Sequence, residues 1–331
     1  MNVLVTGGAG YVGAHMTLRL VEAGFRPIIL DDFSTGSRDF VKDRVVYEGD
    51  IADQALVARI LREHEVREVI HFAGSSLVQD SMSRPLNYYR DNTVKSRALI
   101  EACVDAKVER FVFSSTAAVY GTPERSPVAE TAPLAPISAY GASNMMTERI
   151  LQDAAAAYGF KYVALRYFNV AGADPDGRAG QGGKPTHLVK VAAQIACGVR
   201  KEALQIFGED YPTPDGTCIR DYIHVTDLVD AHTEAMSHMR VGGSSLVLNC
   251  GYGRGYSVRE VIDAVERVTG APLPTEPAPR RAGDVPQLIA DDAAIRTRLG
   301  WTPRYDDLDF IVRTAIDWEI RLAARARLED L

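Results

Sequence analysis

Three glycines at three-residue spacing, Gly7, Gly10 and Gly13, stand between an apolar run and an amphipathic stretch that closes near Gly24. Glycine is needed where backbone turns tightly, approaches a pyrophosphate closely and lets a helix pack on a strand. The phosphates then meet the N-terminus of the following helix, beside Tyr11 and Val12, where unpaired N–H groups and the helix dipole favour negative charge. Asp31 ends the next apolar run. A carboxylate there accepts from both hydroxyls of an adenosine ribose and repels a 2′-phosphate, which predicts NAD as the cofactor rather than NADP. Asp32 adds to that repulsion. Two further turns, Asp50-Ile51 and Phe72-Ala73-Gly74, follow later strand signals and line the adenine and pyrophosphate sides of the same cleft.

The elements that must position these residues are legible as a repeat of short apolar runs and helix-length segments. Strands are expected at residues 2–6, 27–30, 45–48, 68–72, 111–114 and 162–168, and helices at 54–64, 94–106 and 140–158. Strands spaced by helices give a parallel sheet covered on both faces, and right-handed crossovers make it doubly wound with ligands at the strands' carboxyl ends. The fold class is therefore α/β, a Rossmann-like doubly wound sheet. From about residue 176 the chain is richer in proline and glycine, as at 180–185, 211–216 and 271–286, with an isolated strand at 245–250. This predicts an NAD-binding domain over 1–175 and a smaller α/β substrate domain over 176–331, partly interleaved with the first.

Bulk properties narrow the function classes. The 331 residues are 46% hydrophobic and 24% charged, with a net charge of −7 and no block of like charge. No nucleic-acid partner is expected from that balance. No apolar run reaches the roughly 18 residues that span a bilayer, so no membrane association is expected. The chain starts directly in a strand, and its four cysteines form no Cys-x-x-Cys pair. The expectation is a cytoplasmic protein with reduced thiols and no bound metal.

Longer motifs resemble a known family. Thr6-Gly7-x-x-Gly10-x-x-Gly13, Phe111-Val-Phe-Ser-Ser-Thr116-Ala-Ala-Val-Tyr-Gly121 and Tyr140-Gly-Ala-Ser143 are similar to the extended short-chain dehydrogenases/reductases. Arg166-Tyr-Phe-Asn169, the block from Tyr211 to His224 and Ala278-Pro-Arg-Arg281-Ala-Gly-Asp284 resemble the family's nucleotide-sugar 4-epimerases. The resemblance implies an isomerase that interconverts UDP-glucose and UDP-galactose through a transient 4-keto sugar, with NAD regenerated in each turnover. It implies Tyr140 as base and Thr116 as the hydroxyl that relays the proton. Asn92 is implied as a cofactor-pocket amide and Phe168 as a neighbour of the nicotinamide. On the substrate side it implies Asn169, Arg220 and Arg281 at the diphosphate, Ile206 and Phe207 under the uracil, and Asp284 at the uridine ribose. Ser76, His187, Leu188 and Leu288 fall at sugar-pocket positions, and a homodimer through the helices near 92–106 and 140–158 is implied. A dehydratase would carry Asp-Glu after the threonine, where this chain has Ala117-Ala118.

One departure bears on rate. The family pattern is Tyr-x-x-x-Lys, and position 144 is asparagine. A free tyrosine with a pKa near 10 is only about 0.1% ionised at pH 7. A neighbouring cation shifts a pKa by roughly 1–3 units, so losing it removes about 10- to 1000-fold of the phenolate. Asn144 thus predicts a complete ligand site with slowed chemistry. Ser76, His187 and Leu288 also differ from well-known members. Leucine at 288 is intermediate in bulk where a tyrosine would narrow the pocket, so N-acetylhexosamine substrates stay open, as do pentoses. Two other classes compete with an epimerase: a non-catalytic NAD- and UDP-sugar-binding protein, and an oxidoreductase that releases NADH.

Overall fold

Strands made of Val, Ile and Leu on both faces must be covered on both faces, and this chain supplies a helix after almost every strand. The computed structural model describes residues 1–183 and 187–329, with side chains to Arg325, so the last part of the 180–185 stretch lies outside the described residues. The first half runs β1 (Asn2–Thr6), α1 (Tyr11–Glu22), β2 (Arg26–Asp31), β3 (Val45–Glu48), α2 (Gln54–Glu63) and β4 (Glu68–His71). Then come α3 (Val78–Ser83), α4 (Pro85–Tyr88), a π-helical turn (Tyr89–Val94), α5 (Lys95–Asp105), β5 (Arg110–Thr116), α6 (Ala139–Tyr158) and β6 (Lys161–Tyr167). The second half contains β7 (Asn169–Ala171), α7 (Leu188–Ala196), β8 (Leu204–Phe207), β9 (Ile219–Arg220), β10 (Tyr222–His224), α8 (Val225–Arg240) and β11 (Leu246–Cys250). It ends with β12 (Tyr256–Ser257), α9 (Val258–Thr269), β13 (Thr275–Ala278), β14 (Gln287–Leu288), α10 (Ala293–Leu299) and α11 (Leu308–Glu329).

Seven strands form one sheet in the order β11-β6-β5-β4-β1-β2-β3, every pair parallel. This is the Rossmann-like doubly wound sheet. Its winding reverses between β1 and β4, which opens the crevice at the strands' carboxyl ends where ligands bind in such sheets. Leu4, Val5, Ile28, Ile29 and Ile70 are wholly buried in the centre of the sheet.

Element bounds differ from expectation in instructive places. β5 continues to Thr116 because each residue from Arg110 onward finds a partner in β6, ending at Thr116 opposite Tyr167. The expected strand at 162–168 stops at Tyr167, and β7 then leaves the sheet to pair with β10. The expected helix start at residue 94 lies inside the π-helical turn. The strand expected as isolated near 245–250 is β11, and it forms the outer edge of the main sheet beside β6. It is not isolated: its register is fixed across β6, an interaction that local sequence does not display.

α6 is the longest helix of the first half, capped by Ser138, whose Oγ accepts from Gly141 N at 3.2 Å, and stopped by Gly159 at φ 81°. A buried charge pair holds it against the sheet. Arg166 of β6 donates from Nη2 to Glu148 Oε2 at 2.6 Å, and both side chains are about 6% exposed. Ser115 of β5 also donates to Glu148, and Arg166 Nη1 donates to Tyr120 Oη at 2.9 Å. Tyr120 in turn donates to Asn249 Oδ1 of β11 at 2.7 Å. β5, β6, β11 and α6 are therefore locked by one polar network inside the protein.

Four histidines are buried. His71 lies between the Thr6 and Ser96 hydroxyls (2.7 and 2.8 Å) and stacks on Phe113. Burial lowers His71 and His224 to about 3 and His15 and His232 to about 4. An unfolded histidine binds a proton below its ordinary pKa near 6.5, whereas these stay neutral until the pH falls past 4. Their stabilising contribution is therefore complete above about pH 6.5 and is lost as pH falls toward the folded values. Each costs about 2 kcal/mol at pH 5. Asp221, raised by burial to about 7, runs oppositely and offsets roughly one histidine over the same interval. The urea midpoint is expected to fall markedly between pH 7 and pH 5, and a midpoint unchanged over that range contradicts this account.

Candidate active site

The cofactor end is built from backbone. Gly7 adopts φ 69°, and a Cβ on it would stand 2.7 Å from Ala73 N. A Cβ on Gly13 would stand 2.1 Å from Gly7 O. The glycines thus let α1 start directly over the β1 and β4 ends. Gly10 caps α1 without a side-chain acceptor, leaving the first-turn N–H groups at Tyr11 and Val12 for an anion. The Tyr11 side chain is engaged elsewhere, its hydroxyl donating to Gly172 O at 2.6 Å.

Asp31 is buried at the end of β2. Its Oδ2 accepts from Ala9 N at 2.9 Å and its Oδ1 from Phe33 N at 2.8 Å, which fixes both oxygens while each keeps a free lone pair. Burial raises its pKa, against the pull of those two N–H groups. Asp32 is turned away and exposed, accepting from Ser34 N and Oγ. Asp50 accepts from Ala52 N and pairs with Lys95 at 2.6 Å, while Ile51 is buried in the core. Burial opposes ionisation of Asp50, and the Lys95 ammonium overcomes it and holds the carboxyl low.

Asn92 sits in the π-helical turn, a local widening common at functional sites. Its Oδ1 accepts from Ser75 N, and its Nδ2 donates to Ser75 O and Ser143 Oγ, at 2.8, 3.0 and 3.1 Å. A Cβ on Gly74 would stand 2.8 Å from that Oδ1. Asn92 therefore spends its amide on clamping the loop after β4 to α6. Ser76 is exposed just beyond the clamp.

The residues expected at the reacting centre come from α6 and β5, and β6 adds a neighbour. Tyr140, Ser143, Asn144, Thr147 and Glu148 share the buried face of α6, as 3.6 residues per turn requires. The Tyr140 hydroxyl meets the hydroxyls of Thr116 and Tyr167, and its ring packs edge-on to Tyr88 at 6.4 Å. Burial pushes Tyr140 well above the usual tyrosine range; the Tyr167 phenol adds to this and the Thr116 hydroxyl works against it. Thr116 Oγ1 also accepts from Ala118 N at 3.1 Å. Asn144 is buried, and its Nδ2 donates to Tyr140 O at 2.9 Å. That oxygen is the main-chain carbonyl one turn earlier, so the amide closes a local helix contact. Tyr167 had no assigned role in the sequence, because its place opposite Thr116 follows from the β5–β6 register, which local sequence does not display.

The other end of the site gathers cations around an acid. Arg281 Nε donates to Asp284 Oδ2 at 2.8 Å, and Arg220 Nη2 lies 3.7 Å from Asp284 Oδ1. The Arg281 guanidinium lies over the Phe207 ring at 4.6 Å, and Ile206 is buried beside it on β8. Leu288 of β14 stands opposite Arg220 and packs on the Phe168 cluster, joining this end to the cofactor end. Asn169 is exposed at the start of β7. His187 precedes α7 and bonds Gln181 at 2.9 Å, while Leu188 packs on the main core. Among the described residues no cluster of His, Cys, Asp and Glu has the makings of a metal centre.

A glycine cradle beside an uncapped helix start, with a fixed buried carboxylate on the next strand, fits a dinucleotide such as NAD. A model of the NAD dependent epimerase/dehydratase family matches residues 3–251, and the chain belongs to that family. It is a family of NAD-dependent enzymes. A protein of Azospirillum brasilense named UDP-glucose 4-epimerase is 55% identical over 320 residues, 96% of this chain and 92% of that one. The crystal structure of UDP-glucose 4-epimerase from Brucella ovis in complex with NAD has a TM-score of 0.92 at 44% identity, covering 96% of this chain and 97% of its own. The enzyme from Stenotrophomonas maltophila with bound NAD and formylated UDP-arabinopyranose has a TM-score of 0.94 at 39% identity, covering 98% and 99%.

Replacing Asp31 with Asn keeps the shape and removes the charge that favours two hydroxyl donors. NAD affinity of Asp31→Asn is expected to fall about tenfold to a hundredfold, with discrimination against NADP reduced. Fluorescence titration of cofactor-stripped protein checks this, and an unchanged NAD affinity contradicts the assignment.

Proposed function

We propose that this protein is a nucleotide-sugar 4-epimerase that interconverts UDP-glucose and UDP-galactose. The observation that carries the reading is the pairing of two arginines on Asp284, beside the Phe207 ring and in register with Leu288 at the Phe168 cluster. Two guanidinium forks suit a diphosphate, and flat apolar surface suits a uracil base. We assign residues 1–175 to the cofactor and 176–331 to the nucleotide sugar, with α8 and β11 returning to the first sheet.

NAD, when bound, supplies a reversible two-electron acceptor for C4 of the sugar. The protein's own residues do the rest. The Gly7–Gly13 backbone and α1 hold the pyrophosphate, and Asp31 holds the ribose. Tyr140 takes the proton of the sugar's 4-hydroxyl and returns it, with the Thr116 hydroxyl orienting that oxygen. Arg220 and Arg281 keep the diphosphate in place while the sugar end presents its other face. Phe168 and Leu288 exclude water from the reacting centre.

Asn144 fits this assignment with a slowed proton transfer: its amide is spent on the main-chain carbonyl of Tyr140 and brings no charge to stabilise the phenolate. The leucine at 288, partly buried against the Phe168 cluster, favours a pocket wide enough for N-acetylhexosamine or pentose UDP-sugars as additional substrates. We further propose a homodimer. Leu86, Val94 and Met146 are 79%, 60% and 40% exposed on α4, the π-helical turn and α6, and apolar side chains so placed are best covered by a second copy. Among the described residues no helix is long and apolar enough to cross a membrane.

A coupled assay of UDP-galactose to UDP-glucose conversion tests the reading, with no net absorbance at 340 nm on turnover. Asn144→Lys is expected to raise the rate about 10- to 1000-fold at neutral pH. Equal rates with chemistry limiting in both proteins sink the account of Asn144, and absence of conversion in both sinks the epimerase reading. Val94→Glu is expected to shift the protein from dimer to monomer mass in sedimentation, and a monomeric parent protein overturns the dimer.

A further inference from the structure

Asp221 is wholly buried between β9 and β10, and among the described residues no side chain pairs with it. Its carboxylate instead collects backbone donors from two distant segments. Oδ1 accepts from Tyr252 N at 2.9 Å, and Oδ2 accepts from Gly253 N at 3.0 Å and Ala290 N at 3.2 Å. Its own backbone joins two more contacts: its N–H donates to Leu288 O at 3.3 Å, and its carbonyl accepts from Asn169 N at 2.9 Å. The fit is tight, because a Cβ on Gly251 would stand 2.6 Å from Oδ2.

These segments are the ones that carry the substrate end. Arg220 immediately precedes Asp221, Asn169 starts β7, Leu288 ends β14, and residues 250–253 leave the end of β11. One carboxylate thus sets their mutual distances. Resting on the reading above, we propose that Asp221 is a positioning residue whose carboxylate, by gathering Tyr252, Gly253 and Ala290 N–H groups, holds Arg220, Asn169 and Leu288 in register for the UDP-sugar.

Binding is expected to depend on pH for the same reason. Burial raises Asp221 to about 7 against the pull of its three N–H partners, with Asp292 adding to the rise. Two neighbouring groups, the Cys250 thiol and the Tyr252 phenol, stay neutral in this range. The Cys250 thiol is pushed well above its usual range by burial, and burial together with Asp227 raises the Tyr252 phenol. Asp227 bonds Tyr252 Oη at 2.6 Å, and the neighbouring Arg220 is directed to Asp284. A proton on Asp221 replaces three charge-assisted hydrogen bonds with weaker neutral ones and adds an O–H, so the local grip on the three N–H groups slackens although the buried neutral form suits the fold as a whole.

The test is calorimetric titration of the NAD-loaded protein with UDP-glucose, whose diphosphate does not titrate in this range, at pH 6, 7 and 8. Wild type is expected to bind up to about tenfold more weakly at pH 6 than at pH 8. Asp221→Asn is expected to bind about tenfold more weakly at pH 8, to lose the pH dependence, and to raise KM while kcat changes less than about threefold. Wild-type binding that is flat with pH overturns the proposal even if the variant fails to fold. So does a variant with wild-type affinity, or one whose kcat falls as much as its affinity. A wild type that binds no UDP-glucose at any pH removes the underlying functional reading as well.

Discussion

The Arg166–Glu148 pair is the constraint on which the reactive geometry depends. Both charges are buried, so separating them leaves an uncompensated ion inside the protein, at a cost of about 3–5 kcal/mol. Glu148 belongs to α6 and Arg166 to β6, and the contact fixes the height and rotation of the helix that carries Tyr140. Strand alternation then divides the labour. Ser115 and Arg166 turn to the locking side, whereas Thr116 and Tyr167, the next residues on each strand, turn to the reactive side. A single-residue slip of β6 against β5 would turn Arg166 to the side of Thr116 and Tyr167 to the side of Ser115.

The glycine run, Asp31 and the alternation of strands with helices were legible because each is local. A tight turn, a strand-end acid and a burial period are written within a few neighbouring residues. The extension of β5 to Thr116, the break at Phe168 and the placement of β11 were not, since each is decided by a pairing partner far along the chain. The π-helical turn at Asn92 belongs to the same class: nothing in Tyr89–Val94 announces it, and its amide is explained only by Ser75 and Ser143. Arg220, Arg281 and Asp284 entered through motif resemblance, and the structure brings them into contact. Asp221 sat inside a quoted motif without a role, because its partners are backbone groups that a sequence does not mark.

Asn144 separates two properties that usually travel together. The geometry of the site survives, with Asn144 buried and hydrogen-bonded one turn below Tyr140. The amide brings no charge, and burial, followed by the Tyr167 phenol, favours the neutral form of Tyr140. Position is therefore supplied by the Arg166 network, and Asn144 adds no charge to it.

β11 completes the main sheet from residues 246–250, beside a strand made nearly eighty positions earlier. During synthesis, the first six strands emerge with the β6 edge bare, its ladder groups open to any other chain. Asn249 is also the residue that receives Tyr120 and so finishes the polar network around Arg166. Until that late strand arrives, a buried charge lacks part of its shell and the sheet lacks its border. A fragment ending near residue 175 would inherit both defects, so the first half of this protein depends for its integrity on a segment that the ribosome delivers much later.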